Sequence, residues 1–242
     1  LLLLRGILDS SPKEALKFTV FDVGAHIGQW TIFLLNLAQE RGIADKITIH
    51  CFEPSSFTFS QLRKLLLKHR YGGRICAVNS GMGNAEERRK LYICHNGAGT
   101  NSLYKRRLEG HNISYDKSEI VQITTVDAYC YKNNISHVDF MKIDVEGHEQ
   151  AVVQGAKNML KQHAIDYIQF EYGGCWIDSR KLLIDMYDFL TSFGYVIGKI
   201  MPRGIEFYEK YDQRLENFQM ANFLACLPRQ TDRFKRVRPW ML

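Results

Sequence analysis

Four carboxylates stand where short apolar runs end: Asp22 after Phe18-Thr-Val-Phe21, Glu53 after Ile47-Thr-Ile-His-Cys-Phe52, Asp144 after Val138-Asp-Phe-Met-Lys-Ile143, and Glu171 after Ile165-Asp-Tyr-Ile-Gln-Phe170. One acid in such a place is an ordinary turn former. Four in matching places describe a site. If the runs are parallel strands, their carboxyl ends lie together, and ligands of open α/β sheets bind beyond those ends. Carboxylates there can accept hydrogen bonds from hydroxyls, balance a cation, or take a proton from an attacking group.

Between the first run and a helical pattern lie Gly24 and Gly28. Glycine lets backbone approach a ligand, and the helix start that follows offers unpaired N–H groups. A plain tight turn is the alternative reading. The spacing Gly24-Ala-His-Ile-Gly28 is not Gly-x-Gly-x-x-Gly, so the dinucleotide fingerprint is absent. Asp22, just ahead of the first glycine, would also repel a pyrophosphate. The pair suits a ligand that is cationic at this point. Glu53 is placed to accept bonds from both hydroxyls of a ribose.

These residues need a sheet to position them. Strand-like runs are expected at 18–23, 46–52, 74–78, 137–144 and 165–170, with final strands at 195–200 and 220–226 and an extra one at 91–94. Helical spacing is expected over 29–41, with Trp30, Phe33, Leu34 and Leu37 inward, and after Ser55 or Ser56, with Leu62, Leu65 and Leu66 inward. It recurs over 149–160 and over 179–193, the latter with Leu182, Met186, Phe189, Leu190 and Phe193 on one face. Strands alternating with helices imply parallel pairing through crossovers. No helical pattern separates the last two strands, so they should pair antiparallel. The expectation is one α/β sheet of about seven strands, mostly parallel with an antiparallel last strand, and helices on both faces. Residues 96–118 read as a long loop covering the site.

The 242 residues, 45% apolar and 24% charged, fit one globular domain better than two. The expected division is a lead-in over 1–17, the domain over 18–228 and a basic tail over 229–242. The apolar start, Leu1 to Leu4, is far short of the roughly 20 residues of a membrane span. It lacks the features of a signal peptide, and without an initial Met the chain is compatible with a piece of a longer polypeptide. The six cysteines show no CxxC pair, and Cys51, Cys76 and Cys226 fall in strand-like runs as buried free thiols. A reducing, cytoplasmic location is expected. The net charge of +6 owes much to Arg229, Arg233, Lys235, Arg236 and Arg238, read as a solvated end or as an arm for an anionic partner.

Asp22-Val-Gly-Ala-His-Ile-Gly28, Phe52-Glu-Pro54, Val138-Asp-Phe-Met-Lys-Ile-Asp-Val-Glu-Gly-His-Glu149 and Phe170-Glu-Tyr172 together resemble the FkbM family of S-adenosylmethionine-dependent methyltransferases. The resemblance runs from about Phe18 to Tyr172. It implies the class I methyltransferase fold, a Rossmann-like three-layer sandwich, and methyl transfer to a hydroxyl, usually on a sugar or polyketide-like product. Carried over by position, Asp22, Gly24, Ala25 and Gly28 cradle the methionine part of the cofactor, Glu53 holds the ribose, Asn79-Ser80 borders the adenine, and Asp144 closes the set. His26 stands where the family often has Asn; either can cap a turn.

Transfer to an alcohol needs alignment in a dry pocket and a base for the departing proton. Strand alternation sends Lys142 and Asp144 to one side and Ile143 to the other. Gly147 permits a sharp exit that leaves Glu146 and His148 near the rim. The candidate bases are Asp144, His148, Glu171 and Glu146, in that order; Glu149 reads as a first-turn acid complementing a helix dipole. Asp144, Glu146 and Glu171 also offer oxygens to Mg2+, but no spacing requires the ion and no metal ligand is expected. Asn101, Ser102, Tyr104, Tyr172 and Trp176 are candidates for the wall facing the acceptor. The leading expectation is a sugar or glycan O-methyltransferase. The alternatives are an RNA ribose 2′-O-methyltransferase, an NAD-linked oxidoreductase disfavoured by the glycine spacing, and a noncatalytic domain of a larger protein.

Overall fold

A computed structural model describes residues 2–9, 17–108, 110 and 113–237. The expected lead-in and tail are therefore described in part, and Arg238 lies outside the described residues. In chain order the elements are α1 (Leu2–Asp9), β1 (Phe18–Val23), α2 (Gln29–Glu40), β2 (Ile47–Phe52), α3 (Ser56–Lys68), β3 (Ile75–Val78), β4 (Gly81–Met82), β5 (Glu87–Ile93), β6 (Lys117–Thr124) and α4 (Val126–Lys132). They continue with β7 (Val138–Ile143), α5 (Glu149–Gln154), α6 (Lys157–Lys161), β8 (Ile165–Tyr172), α7 (Cys175–Ser179), α8 (Leu183–Thr191), β9 (Val196–Met201), β10 (Gly204–Tyr208) and β11 (Ala221–Cys226).

The main sheet has eight strands in the order β10-β9-β11-β8-β7-β1-β2-β3. From β3 to β8 neighbours are parallel, whereas β11 runs antiparallel to both β8 and β9. The central strands are apolar throughout because both of their faces are covered. Val20, Phe140 and Tyr167 face a cluster that includes α1, α2 and α3. Phe21, Met141 and Ile168 face another that includes α4, α5, α6 and α8. Strand order reverses at β1, which lies between β2 and β7, so a crevice opens beyond Val23 and Ile143. Ser55 caps α3, its side chain accepting from the Thr58 N–H.

Several expectations give way to contacts that spacing does not announce. The sheet has eight strands rather than about seven, because the charged stretch after β9 folds back as β10 and pairs antiparallel with it. A small second sheet, β4-β6-β5, rises beside the main one. The helix expected over 149–160 breaks into α5 and α6 at Gly155, where a Cβ would lie 2.0 Å from Gly83 O. The one expected over 179–193 starts only at Leu183, after Arg180 turns left-handed at the end of α7. Phe33, Leu65 and Leu182 point outward instead of into the core, and Cys76 is exposed at a sheet edge. Tyr172 and Trp176 pack against each other in the core rather than forming an acceptor wall.

The basic segment is not a solvated end as far as Val237. Residues 228–233 form a 3-10 turn that buries Gln230 and Thr231. Phe234 sits edge-on to Tyr167, ring centroids 5.6 Å apart. The Ile205 N–H then donates to Lys235 O, and the Val237 N–H to Ile205 O. No helix among the described residues is long and apolar enough to cross a membrane.

Candidate active site

The glycine turn is shaped first by the sheet. At the end of β1 the N–H groups of Gly24 and Ala25 both donate to Phe52 O at 3.0 Å. Gly24 has φ +83°, and a Cβ there would lie 1.8 Å from Asp144 O, so the exits of β1 and β7 touch only because this residue has no side chain. His26 is left-handed, with φ 50°. Its N–H donates to Glu53 Oε2 at 3.0 Å, and its Nε2 lies 2.9 Å from Gly97 O, tying the turn to the loop above.

Asp22 lies beneath this turn and is fully buried. Its Oδ2 accepts from Thr31 Oγ1 at 2.7 Å, and Lys142 Nζ stands 3.6 Å from its Oδ1. Lys142 also donates to Asp144 Oδ2 at 3.0 Å, as strand alternation requires. Burial works against the Lys142 ammonium, but the Asp22 and Asp144 carboxylates outweigh it and hold its pKa above the ordinary value. Asp22 thus acts from behind, fixing the cation that fixes Asp144.

At the end of β2, Glu53 accepts from the Ser55 N–H through Oε1 at 2.9 Å and from His26 through Oε2. Burial pushes its carboxyl up to about 7 despite these two donors. Asn79 holds the same corner, its Nδ2 donating to Glu53 O and Pro54 O. Ser80 is buried, with its hydroxyl on Gly81 O and Gln122 O.

The segment after β7 makes two consecutive left-handed residues, Glu146 at φ 54° and Gly147 at φ 100°. Glu149 stabilises that turn. Its Oε1 accepts from the N–H groups of Val145 and Gly147, and burial pushes its pKa to about 8. Arg106 reaches in from the covering loop to pair with Glu146 and lies 3.5 Å from Asp178. Burial raises Glu146 to about 7, with Arg106 opposing and Glu171 and Asp144 adding to the rise. Burial and then Asp144 raise Glu171 to about 6. One carboxylate oxygen from each of Asp144, Glu146 and Glu171 lies within 4.8 Å of the other two.

His148 is not at the rim. It is 2% exposed, with Nδ1 2.9 Å from the Tyr104 hydroxyl and Nε2 facing Gly83 without a hydrogen-bond partner. Burial lowers its pKa to about 3, so the ring is neutral in the physiological range.

These parts enclose a cleft of about 600 Å3, including its open mouth, at the switch point of the sheet. Gly24, His26, Glu53, Asn101, Asp144, Glu146 and His148 line it, together with Met82, Leu91 and Leu103. Asp22, Ala25, Gly28, Asn79 and Ser80 stand outside its lining and support it. Glu171 joins through the carboxylate cluster. Arg106 and the tie between His26 and Gly97 had no signal in the sequence, since both belong to a loop without periodicity.

A profile of the family described as "Methyltransferase FkbM domain" matches residues 22–197, most of the chain and every element that bears the cleft. The chain belongs to the FkbM methyltransferase family. Members of this family use S-adenosylmethionine. The chain is 24% identical over 220 residues to the 31-O-demethyl-FK506 methyltransferase FkbM of Streptomyces tacrolimicus, covering 80% of this chain and 74% of that protein. Among solved structures, the FkbM methyltransferase of Methylobacillus flagellatus KT matches with a TM-score of 0.52 at 16% identity, over 88% of this chain but only 45% of that one. The METTL16 methyltransferase domain matches with a TM-score of 0.51 at 12% identity, over 93% of this chain and 64% of that one. These likenesses show the fold, that of class I methyltransferases.

Proposed function

We propose that this FkbM-family chain is an O-methyltransferase that moves a methyl group from S-adenosylmethionine to a hydroxyl of a sugar or glycan. One observation carries the reading: Asp144 is the open end of a buried charge row. Asp22 is fully buried and Lys142 nearly so, whereas the Asp144 side chain is 39% exposed where it lines the cleft. A carboxylate so placed can meet an acceptor hydroxyl.

The residues fit the cofactor. Glu53 offers a carboxylate at the cleft wall to a ribose diol, and the turn at Gly24 and His26 brings backbone to the same space. S-adenosylmethionine, when bound, supplies an electrophilic methyl group. Asp144 takes the acceptor proton, with the Lys142 ammonium, 3.0 Å away, holding its carboxylate in place. Glu171 and Glu146 surround it with carboxyls that protonate near neutrality and accept hydrogen bonds from a polyol. Met82, Leu91 and Leu103 keep the cleft dry. His148 closes the wall through Tyr104. Lys142 and Arg106 offset the acidic cluster from two sides, and no step is routed through Mg2+.

The RNA alternative would need Lys142 available beside an acid pair, and Lys142 is committed to Asp22 and Asp144. The deciding experiment supplies S-adenosylmethionine labelled on its methyl group to rhamnose- and fucose-bearing acceptors and, separately, to capped RNA. Label is expected in the sugars. Label in RNA alone would replace the sugar reading, and donor binding without transfer to any acceptor would favour a noncatalytic domain.

A further inference from the structure

The face of the sheet that carries Asp144 continues into a second concavity. Asp22 pairs in register with Lys142, and Lys142 with Gln169. Gln169 Nε2 then donates to Asn222 Oδ1 at 2.8 Å, and Asn222 stands opposite Glu171 in the ladder of β11 and β8. A polar row therefore leads from the active-site cleft across two strands. It ends in a cleft of about 1780 Å3, including its open mouth, built from the turn between β9 and β10, the start of β11 and the segment after the 3-10 turn.

That cleft is unlike the first in its charge. Every ionisable residue lining it is a cation: Arg203, Arg233 and Lys235. Two of them are brought together by backbone. The Ile205 N–H donates to Lys235 O at 2.9 Å, and a Cβ on Gly204 would lie 2.2 Å from that oxygen. The fold thus sets like charges on one cleft with no carboxylate in the lining, an arrangement complementary to an anion with more than one charge. Beside them lie Met201 and Met220, the latter 81% exposed. Methionine is an adaptable surface for a planar ring. Ile200, Pro202, Ile205, Ala221 and Phe234 complete an apolar wall beside the cations, which suits a base joined to a charged group.

We propose that this cleft is the carrier subsite of the methyl acceptor and that the acceptor is a nucleoside diphosphate sugar. The diphosphate lies among Arg203, Arg233 and Lys235, the base against Met201 and Met220, and the sugar passes Asn222 toward Glu171 and Asp144. The proposal rests on the assignment of transfer to Asp144 and deepens it by naming the acceptor class.

The test is the double variant Arg203→Glu/Lys235→Glu, whose side chains are exposed and whose backbone bond is retained. Binding of a nucleoside diphosphate alone, measured by calorimetry, is expected to weaken roughly tenfold or more, the scale of losing charge-assisted phosphate contacts. S-adenosylmethionine binding by the same variant should be unchanged, which also reports that it folds. With a nucleoside diphosphate sugar as acceptor, KM should rise by about the same factor, while a neutral glycoside of the same sugar is methylated as by the parent chain. Equal nucleotide affinity in parent and variant would overturn the proposal. So would nucleotide-independent binding to vesicles bearing a polyprenyl diphosphate. If nucleotide binding is lost in the variant but the parent methylates no sugar, the subsite stands and the transferase reading falls. If glycosides are methylated and nucleotide binding ignores the substitutions, the reverse holds.

Discussion

Strands β7 and β8 carry three ionisable side chains at each end, and the two clusters share a spacing but not a composition. At the amino end are His137, Asp139 and Asp166, and at the carboxyl end Asp144, Glu146 and Glu171; in each, the donor atoms lie within 4.8 Å of one another. His137 Nε2 lies 3.2 Å from Asp166 Oδ2 and 3.9 Å from Asp139 Oδ1, and Asp139 Oδ2 accepts from the Thr19 N–H at 2.7 Å. The bond to Asp166 raises the His137 pKa, while burial would raise Asp166 but the bond and charge of His137 outweigh it and hold it low. That cluster is a latch joining β1, β7 and β8, with His137 bridging the two carboxylates. The carboxyl end has no histidine in its cluster. Burial and mutual repulsion hold Glu171 near 6 and Glu146 near 7, beside a cleft. Similar geometry ties strands together where a histidine bridges the acids, and it leaves raised carboxyls beside a cleft where none does, the pattern expected of a proton-handling site.

The comparison can be broken at either end. Replacing Glu171 by Gln should lower methyl transfer by about 10- to 100-fold, the range of a lost acid–base or positioning group. The sign of its pH dependence follows from the raised pKa. The carboxylate form is lost as pH falls through about 6, so the parent rate should fall there and the Gln variant should lack that limb. A variant with an unchanged pH–rate profile would remove Glu171 from the chemistry.

A smaller effect is expected at Glu53. Substitution by Ala should weaken S-adenosylmethionine binding about tenfold, one charged acceptor's worth. Parent affinity should decline as pH falls through about 7, because protonation removes an acceptor. Equal affinity by calorimetry would take the ribose role away.

The smallest effect belongs to the amino end. The folded pKa of His137 lies above the ordinary value, so its stabilisation is full below about pH 6.5 and is lost as pH rises through the folded value. With 44% of its side chain exposed, screening limits the loss in His137→Ala to about 0.5 kcal/mol at pH 6, read from denaturant melts, and to less at pH 9. Transfer should be untouched; a large loss would erase the contrast between the two ends.

The parallel strands of the main sheet were legible because burial on both faces leaves mostly apolar runs, each of the four central ones ending at an acid. Those acids marked the site for the same reason. The protonation balance was not legible, since it depends on distances between strands rather than along them. The extra strand expected at 91–94 is the end of β5; its first residues, 87–90, were not legible because they are charged and face outward across from β6, and β10 was hidden by a short turn in a charged stretch. Helix breaks at Gly155 and Arg180 answer to tertiary contact and backbone handedness, which helical spacing cannot register. His148 sits deeper than its turn suggested because Tyr104, from a loop without period, covers it. Asp22, whose place before Gly24 suggests a ligand-facing acid, is the buried anchor of Lys142.

The most direct test makes the same substitution at both ends of one strand: Asp144→Asn beyond β7 and Asp139→Asn near its start. Single-turnover methyl transfer and S-adenosylmethionine affinity would be measured side by side. Asp144→Asn should lose transfer by two or more orders of magnitude with donor affinity changed only a few-fold, while Asp139→Asn should transfer nearly as the parent does. Turnover preserved in Asp144→Asn, or lost equally in both, would contradict the placement of the chemistry at the carboxyl end of the sheet.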